Sequence, residues 1–306
     1  MPMDDSKQRT TNRLIWYAIA AAAAVDAGWV VAAHIRFDLA GTAPIFAAIA
    51  GFALVSFIYG HIRKDERLWL FGNIANQMLC GTGAIGTLSY LAARWNFPLQ
   101  DAWLISLDHM LSFDWQHYLA VADQYPLLTQ IFALAYASSG PQMIGIMALL
   151  FICNKMPHLQ HFTVIFLLTA LATVMAATLW PATGGYLYYH TDMTLFHNIH
   201  PATARLHEAP LLGMRDHTIE TLTFPMQGLV AFPSFHSTLS ILLIYAAWPI
   251  RPLRGIFLLL NMLVLASTPV EGGHYLTDII AGVAVAFLGI YVVERAFGRD
   301  GKIVRP

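Results

Sequence analysis

Eight apolar runs, most of them near 20 residues long, constrain the fold of this chain more than any other feature. About 20 apolar residues in a helix, rising 1.5 Å each, cross the hydrocarbon core of a bilayer. Only 11% of the residues are charged, about half the share of a soluble domain. We therefore predict an all-α fold, a polytopic membrane bundle of about eight spans. The runs cover 14–34, 43–60, 69–93, 127–152, 162–180, 235–250, 255–271 and 276–294.

The basic residues are distributed unevenly between the two sides of these spans. With a cytoplasmic N-terminus, 13 of the 17 basic residues lie inside, and Arg36, Arg94, Arg205 and Arg215 lie outside. An excess of Lys and Arg in cytoplasmic segments sets the orientation of membrane proteins. We therefore expect both termini in the cytoplasm of a cell whose inner or plasma membrane holds the protein. The polar segment 1–13 leads into an uncleaved span, since no convincing cleavage site follows it.

Composition and charge also limit the possible domain organisation and binding partners of the chain. The net charge is −1 and no basic run is long enough to indicate nucleic-acid binding. Cys80 and Cys153 fall inside apolar runs, so no disulfide framework is expected. We expect a single integral membrane domain over 1–306, with N-terminal helices in 1–93 and a core in 127–294 that contains a long outer loop, 181–231.

Two outer segments are too long to be simple turns. In 95–126, Leu104, Leu107, Leu111 and Trp115 recur at helical spacing among acidic residues, which predicts amphipathic helices in the membrane interface. They form either a lid or anchor, which we favour, or a wall of a lipid-binding cleft. The loop 181–231 holds two of the four outer cations, and loops of this length are usually functional. It also contains five histidines: His190, His197, His200, His207 and His217.

Two short motifs lie where apolar helices meet water. F-P-S-F-H occupies 232–236, and H-Y-L-T-D occupies 274–278. About 15 residues separate His236 from a turn at Arg251 and Arg254, and about 20 residues lead back to His274, which gives two helical legs of roughly 22 and 30 Å. This hairpin predicts that both histidines reach the same membrane face.

The residue types in these motifs suit phosphoryl chemistry. His274 and Asp278 are neighbours on one helical face if the helix has begun by His274, and a carboxylate on one ring nitrogen leaves the other free to attack phosphorus. His236 can then protonate the departing alkoxide. Ser234 suits an N-cap, and the backbone amides that follow it can bind phosphate oxygens. Alone, the His274–Asp278 pair is a weak signal that also fits a structural role at a helix start, and His236 alone is better interpreted as an interfacial histidine. Their matching outward positions together favour the functional interpretation.

With Ala281 and Gly282, the two motifs resemble the type-2 phosphatidic acid phosphatase superfamily, whose second and third motifs are P-S-G-H and S-R-x5-H-x3-D. The bulky residue at 235 and Tyr275 resemble the branch of inositol phosphorylceramide synthases and related bacterial lipid phosphotransferases and phosphatases. The resemblance implies a six-helix phosphatase-like core. It also implies that His274 is the nucleophile, that Asp278 orients it, that His236 is the general acid and base, and that Ser234 holds phosphate.

The chain departs from the pattern at two cationic positions. Thr268 stands where the third motif has arginine, and W-P-A-T-G-G-Y at 180–186 takes the place of the first motif, K-x6-R-P. A phosphoryl transition state gains negative charge, so other cations must replace these groups. We expect Arg215 and Arg205 to do so, and we add Gly273 and Tyr186 to the substrate-binding set.

These inferences predict a lipid phosphotransferase or lipid phosphate phosphatase that acts at the outer face. Its substrate is a phospholipid or lipid phosphate, its acceptor is water, a lipid or an alcohol, and it needs no metal or cofactor. A first alternative is a metal-dependent outer-face enzyme that uses the loop histidines with Glu208 and Asp216. A second is a non-catalytic transporter, which the lack of inverted repeats disfavours.

Overall fold

The protein is an all-α bundle, as the apolar runs predicted. The computed structural model describes residues 5–201 and 206–297. Thirteen α-helices occur in these residues. They are α1 (Asp5–Ala32), α2 (Leu39–Phe57), α3 (Glu66–Ala93), α4 (Asp101–Met110), α5 (Trp115–Ala122), α6 (Pro126–Ala137), α7 (Ser139–Ile152), α8 (Met156–Leu179), α9 (Gly185–Tyr188), α10 (Glu208–Arg215), α11 (Phe235–Ala247), α12 (Arg254–Glu271) and α13 (Leu276–Phe297).

Several of these helices are long and apolar enough to cross a bilayer. Five segments of the described chain meet that condition, and α6 with α7, bent by 49° at their junction, makes a sixth if the pair is one span. The segment α11 is apolar but has only 13 residues, about 20 Å of helix. The protein is thus an integral membrane protein, while the expected number of eight spans stays a prediction.

The main hydrophobic core surrounds α11. This helix packs against α7, α8, α12 and α13. Leu242, Leu243 and Ala246 of α11 are fully buried in this core with Phe162 and Ile165 of α8. A short 3-10 turn (Arg251–Leu253) links α11 to α12, which confirms the predicted helical hairpin. The packing fixes the N-terminal end of α11 and the C-terminal end of α12 relative to each other.

The start of α13 lies directly on the start of α11. The backbone N–H of Ser234 donates to the carbonyl of Asp278 at 3.0 Å, and the Thr238 hydroxyl donates to the carbonyl of Gly282 at 2.8 Å. A Cβ atom on Gly282 would overlap the Ser234 carbonyl oxygen, which is backbone and has little freedom to move. Glycine at 282 therefore allows the two motif-bearing helices to touch.

Replacing Gly282 with alanine is expected to destabilise the protein, because α11 and α13 must separate to admit the methyl group. Overpacking of this kind costs about 1–3 kcal/mol. Thermal unfolding in detergent measures the effect. Gly145→Ala is the matched control, because a Cβ at this helical position meets nothing within 4 Å. Equal melting temperatures for the two variants would contradict this description of the α11–α13 contact.

The one or two amphipathic helices predicted for 95–126 are present as α4 and α5, but only part of their apolar stripe is buried. Leu104 and Trp115 are buried as expected, whereas Leu111 is 54% exposed. Asp101 and Asp108 lie on the buried side of α4, each 2% exposed. The apolar spacing did not indicate that α4 turns two carboxylates inward.

The long loop 181–231 contains α9, α10 and a short strand. The strand β2 (Thr221–Leu222) pairs in parallel with β1 (Arg36–Phe37), which lies between α1 and α2. Leu211, Met214 and Leu222 pack with Leu91 of α3 in a second buried cluster. The described part of this loop is therefore packed against the N-terminal helices.

Candidate active site

His274 and Asp278 form a buried pair at the start of α13. Nδ1 of His274 lies 3.4 Å from Oδ2 of Asp278, and the two side chains are 6% and 0% exposed. The expectation that the helix has begun by His274 was wrong, because α13 begins at Leu276. The pair still forms, since Oδ2 of Asp278 accepts a hydrogen bond from the backbone N–H of Tyr275 at 2.8 Å and draws the preceding turn back over the carboxylate.

His236 lies in the first turn of α11. Ser234 is the N-cap, as predicted, and its hydroxyl oxygen accepts from the backbone N–H of Ser237 at 3.4 Å. Nδ1 of His236 lies 3.0 Å from the phenol oxygen of Tyr136 on α6, and the two rings stack with their centroids 4.2 Å apart. No motif in the sequence pointed to Tyr136.

The two histidines lie close to the same glycine and tyrosine. A Cβ atom on Gly272 would lie 2.6 Å from Cδ2 of His274 and 2.7 Å from the phenol oxygen of Tyr136. Tyr136 in turn touches His236. The hairpin thus brings together the two histidines that the sequence placed 38 residues apart. We call the cluster of His236, His274, Tyr136 and Gly272 the histidine pocket.

Burial keeps His274 neutral. Loss of hydration lowers the pKa of His274 to about 4, although a hydrogen bond with the carbonyl of Ala231 acts in the opposite direction. A neutral imidazole has an unprotonated nitrogen, which a nucleophile requires. At neutral pH His274 is therefore in the form that attacks an electrophile.

The lowered pKa of His274 predicts a loss of stability in acid. The unfolded chain binds the proton near pH 6.5, before the folded protein does, so unfolding becomes easier as the pH falls from 6.5 to about 4. That difference in pKa corresponds to about 3 kcal/mol. His274→Gln removes this contribution. We expect the melting temperature of the wild type to fall more than that of the variant between pH 7 and pH 4.5. Parallel curves would contradict the assignment.

Asp101 of α4 holds the segment that replaces the first family motif. Its carboxylate accepts hydrogen bonds from the backbone N–H groups of Thr183 and Gly184, from the Thr183 hydroxyl and from the Tyr275 hydroxyl, all within 3.1 Å. The N–H of Gly185 donates to the Gly273 carbonyl at 2.7 Å. Asp101 therefore links 183–185 to the turn that carries His274.

Asp108 caps the start of α13. Its carboxylate accepts from the backbone N–H groups of Leu276 and Thr277, at 2.9 and 2.8 Å, and from the Thr277 hydroxyl. The first amides of α13 are therefore occupied by a carboxylate of the chain. The lid or anchor role expected for 95–126 stays a prediction, and α4 additionally holds 183–184 and the start of α13. Acidic residues seven positions apart on one helical face were the signal available in the sequence.

Gly184, Gly273 and Tyr186 form the contact between the segment 183–186 and the turn that precedes α13. Gly184 and Gly273 both have positive φ, +84° and +67°, which side-chain-bearing residues rarely adopt. Tyr186 is 3% exposed and its hydroxyl donates to the Val270 carbonyl at 2.6 Å. A Cβ on Gly273 would lie 2.7 Å from the Tyr186 ring. In this structure Tyr186 packs against Gly273, the residue just before His274.

The structure describes only one of the two arginines that were expected to bind phosphate. Arg205 lies outside the described residues. Arg215, at the end of α10, is partly buried and lines a cavity together with Ala182 and Ala231. Its Nη2 donates to the carbonyl of Phe97 at 2.9 Å. Loss of hydration lowers the pKa of Arg215, while nearby Asp101 raises it. Thr268 stands at the position where the resembling family has arginine. It is fully buried, and its hydroxyl donates to the Val264 carbonyl at 2.7 Å.

His207 is the loop histidine that approaches the site. Its Nε2 lies 3.1 Å from the Thr183 carbonyl. Burial lowers the pKa of His207, the Thr183 carbonyl raises it, and the proximity of His274 lowers it again. The remaining loop histidines are exposed: His190, His197, His200 and His217. Among the described residues no group of three or more His, Cys, Asp or Glu side chains has the arrangement of a metal site.

Comparison with known proteins gives one match. A family model described as the PAP2 superfamily matches residues 102–292, which is more than half of the chain and includes His236, His274 and Asp278. No curated protein matches the chain, and no solved structure does.

Proposed function

Since the chain belongs to the PAP2 superfamily, we propose that it is a membrane phosphatase or phosphotransferase that acts on lipid phosphate esters through a phosphohistidine. The family membership itself supports an enzyme for phosphate esters. The proposal of a phosphohistidine rests on one observation, the buried His274–Asp278 pair close to His236. The inositol phosphorylceramide synthase-like branch remains part of the proposal.

In the first step, Nε2 of His274 attacks phosphorus. In the reactive tautomer the Nδ1 proton points to the Asp278 carboxylate, 3.4 Å away, and the ring gives up its contact with the Ala231 carbonyl so that the Nε2 lone pair faces phosphorus. The bond from phosphorus to the lipid oxygen breaks as the N–P bond forms. His236 gives its Nε2 proton to the departing oxygen, which would otherwise leave as an alkoxide.

In the second step, an acceptor hydroxyl attacks the phosphohistidine. His236, now without its Nε2 proton, takes the proton of the attacking water or alcohol. The N–P bond breaks and His274 regains its lone pair. Water gives hydrolysis and an alcohol gives transfer, and the shape of the lipid cleft selects between them. Histidine is itself the nucleophile, so we propose that no metal-bound water is needed.

The bound phosphate needs donors and cations. We propose that backbone N–H groups at the start of α11 bind phosphate oxygens, although the N–H of Ser237 already donates to the Ser234 hydroxyl. Arg215 supplies the charge that the missing motif residues supply elsewhere in the family, and Arg205 is a second candidate. The charge asymmetry of the sequence supports an outward-facing site, on the side opposite Arg251 and Arg254.

Replacing Arg215 with alanine is expected to lower kcat/KM for a lipid phosphate about 10- to 100-fold, the value of a hydrogen bond to a charged group. Arg94→Ala is the matched control, because Arg94 also donates to a backbone carbonyl, that of Ile219, at 3.2 Å. Steady-state kinetics in detergent measure both. Turnover of the Arg215 variant within a few-fold of wild type would exclude Arg215 from phosphate binding.

Trapping the intermediate tests the proposed function. Purified protein is mixed with a short-chain lipid carrying a radioactive phosphate and quenched after one turnover. We expect a protein-bound label that is stable in base and labile in acid, as a phosphohistidine is. Free phosphate measured with and without an added alcohol separates hydrolysis from transfer. Absence of label together with absence of product under every acceptor condition would overturn the proposal.

A further inference from the structure

A tyrosine from outside both sequence motifs contacts His236. Tyr136 lies at the end of α6, just before the 49° bend into α7, and is 7% exposed. Its phenol oxygen lies 3.0 Å from Nδ1 of His236, and its ring stacks on the imidazole. The two contacts together fix both the plane of the His236 ring and the direction of its Nδ1 edge.

The same phenol oxygen borders the histidine pocket on the side of His274. A methyl group at Gly272 would touch both this oxygen and Cδ2 of His274. Tyr136 is therefore not a remote packing residue, because its polar atom contacts one imidazole that the proposed reaction uses and lies near the other.

We propose that Tyr136 is the positioning residue for His236: it holds Nδ1 against the phenol oxygen and leaves Nε2 as the nitrogen that exchanges protons with the substrate and the acceptor. This inference rests on the proposed function. It assigns His236 a partner of a different chemical kind from that of His274, which is paired with the carboxylate of Asp278.

A phenol suits a histidine that must change its protonation state twice per cycle. When His236 is protonated, its Nδ1–H donates to the phenol oxygen. After the Nε2 proton has passed to the leaving oxygen, the neutral ring keeps its remaining proton on Nδ1 and Nε2 is ready to accept one. The proton taken from the acceptor in the second step restores the starting state. No proton leaves Tyr136 at any stage.

The stacked ring adds a second contribution. A cation over the face of an aromatic ring is stabilised by the ring's electron density, most strongly in a site away from water. Imidazolium is such a cation, whereas the neutral imidazole gains less. The stacked Tyr136 ring thereby stabilises the imidazolium of His236, whereas burial and nearby His274 disfavour it.

Tyr136→Phe tests the inference, because it removes the oxygen and keeps the ring. Two substrates are compared: a nitrophenyl phosphate ester, whose leaving group needs no proton, and an alkyl phosphate, whose leaving group does. We expect the variant to form the phosphohistidine from the nitrophenyl ester at a rate within about threefold of wild type, and from the alkyl ester about 10- to 100-fold more slowly. Breakdown of the phosphohistidine in water is expected to slow by a similar factor, since His236 is the base there.

Tyr118→Phe is the matched control. Tyr118 also donates its hydroxyl to another helix, to the Ala266 carbonyl of α12 at 2.8 Å, but outside the histidine pocket. Equal slowing with both esters, or equal losses in the two tyrosine variants, would overturn the positioning role, as would a Tyr136 variant with wild-type rates. Failure of wild-type protein to form any phosphohistidine would instead overturn the proposed function.

Discussion

Replacing His274 with alanine or glutamine is expected to abolish both turnover and protein labelling by a radioactive lipid phosphate. The proposed covalent bond forms at Nε2 of this residue, and no other group in the histidine pocket is paired with a carboxylate in the same way. Loss of an enzyme nucleophile costs about 10⁴-fold or more in kcat. Rapid-quench labelling and release of free phosphate measure the two quantities in the same samples.

Folding must be separated from chemistry in this experiment. His274 is only 5% exposed, and its removal leaves Asp278 buried without the imidazole. The melting temperature of each variant is therefore measured first, and glutamine is included because it fills the site with a polar group. His197→Ala is the control, since His197 lies on the outer loop 181–231 and is exposed. Residual labelling of a folded His274 variant would assign the nucleophile to another residue.

Much of the site was predictable because the spacing between its two motifs, and the residue types within them, indicate how the helices are arranged. The hairpin length was sufficient to bring His236 and His274 to one end of the bundle, and the Ser234 cap and the family followed from the same residues. The i,i+4 contact of His274 with Asp278 was also predicted, although the helix begins two residues later than assumed. A side-chain cap onto Tyr275 replaces the expected helical turn.

The supporting residues were not predictable from the motifs. Asp101 and Asp108 contact loops about 80 and 170 positions away, and Tyr136 is 100 positions from His236. Hydrophobic periodicity cannot identify such partners, because a buried carboxylate on an interfacial helix looks the same in sequence as a solvated one. Only the folded chain reveals that these carboxylates bind backbone amides.

Replacing Asp278 is expected to give the second-largest effect, and the size depends on the substitute. Oδ2 of Asp278 faces Nδ1 of His274 and also accepts from Tyr275, while Oδ1 is buried with no hydrogen-bond partner among the described residues. Alanine removes the acceptor for the Nδ1 proton, so the proton can move to Nε2 and block attack. Loss of a carboxylate that sets a histidine tautomer costs about 10⁴-fold in kcat.

Asparagine at 278 is expected to be less harmful than alanine, because the carbonyl oxygen of its amide can take the place of Oδ2. The reverse orientation would set an NH2 group against the N–H of Tyr275, which excludes it. The tautomer of His274 is then preserved, and only the negative charge that stabilises the positively charged phosphohistidine ring is lost. We expect kcat to fall about 10²-fold for asparagine, between wild type and alanine. Asp114→Asn, at the exposed cap of α5, is the control. Equal losses for asparagine and alanine would show that the charge, rather than the tautomer, is what His274 requires from Asp278.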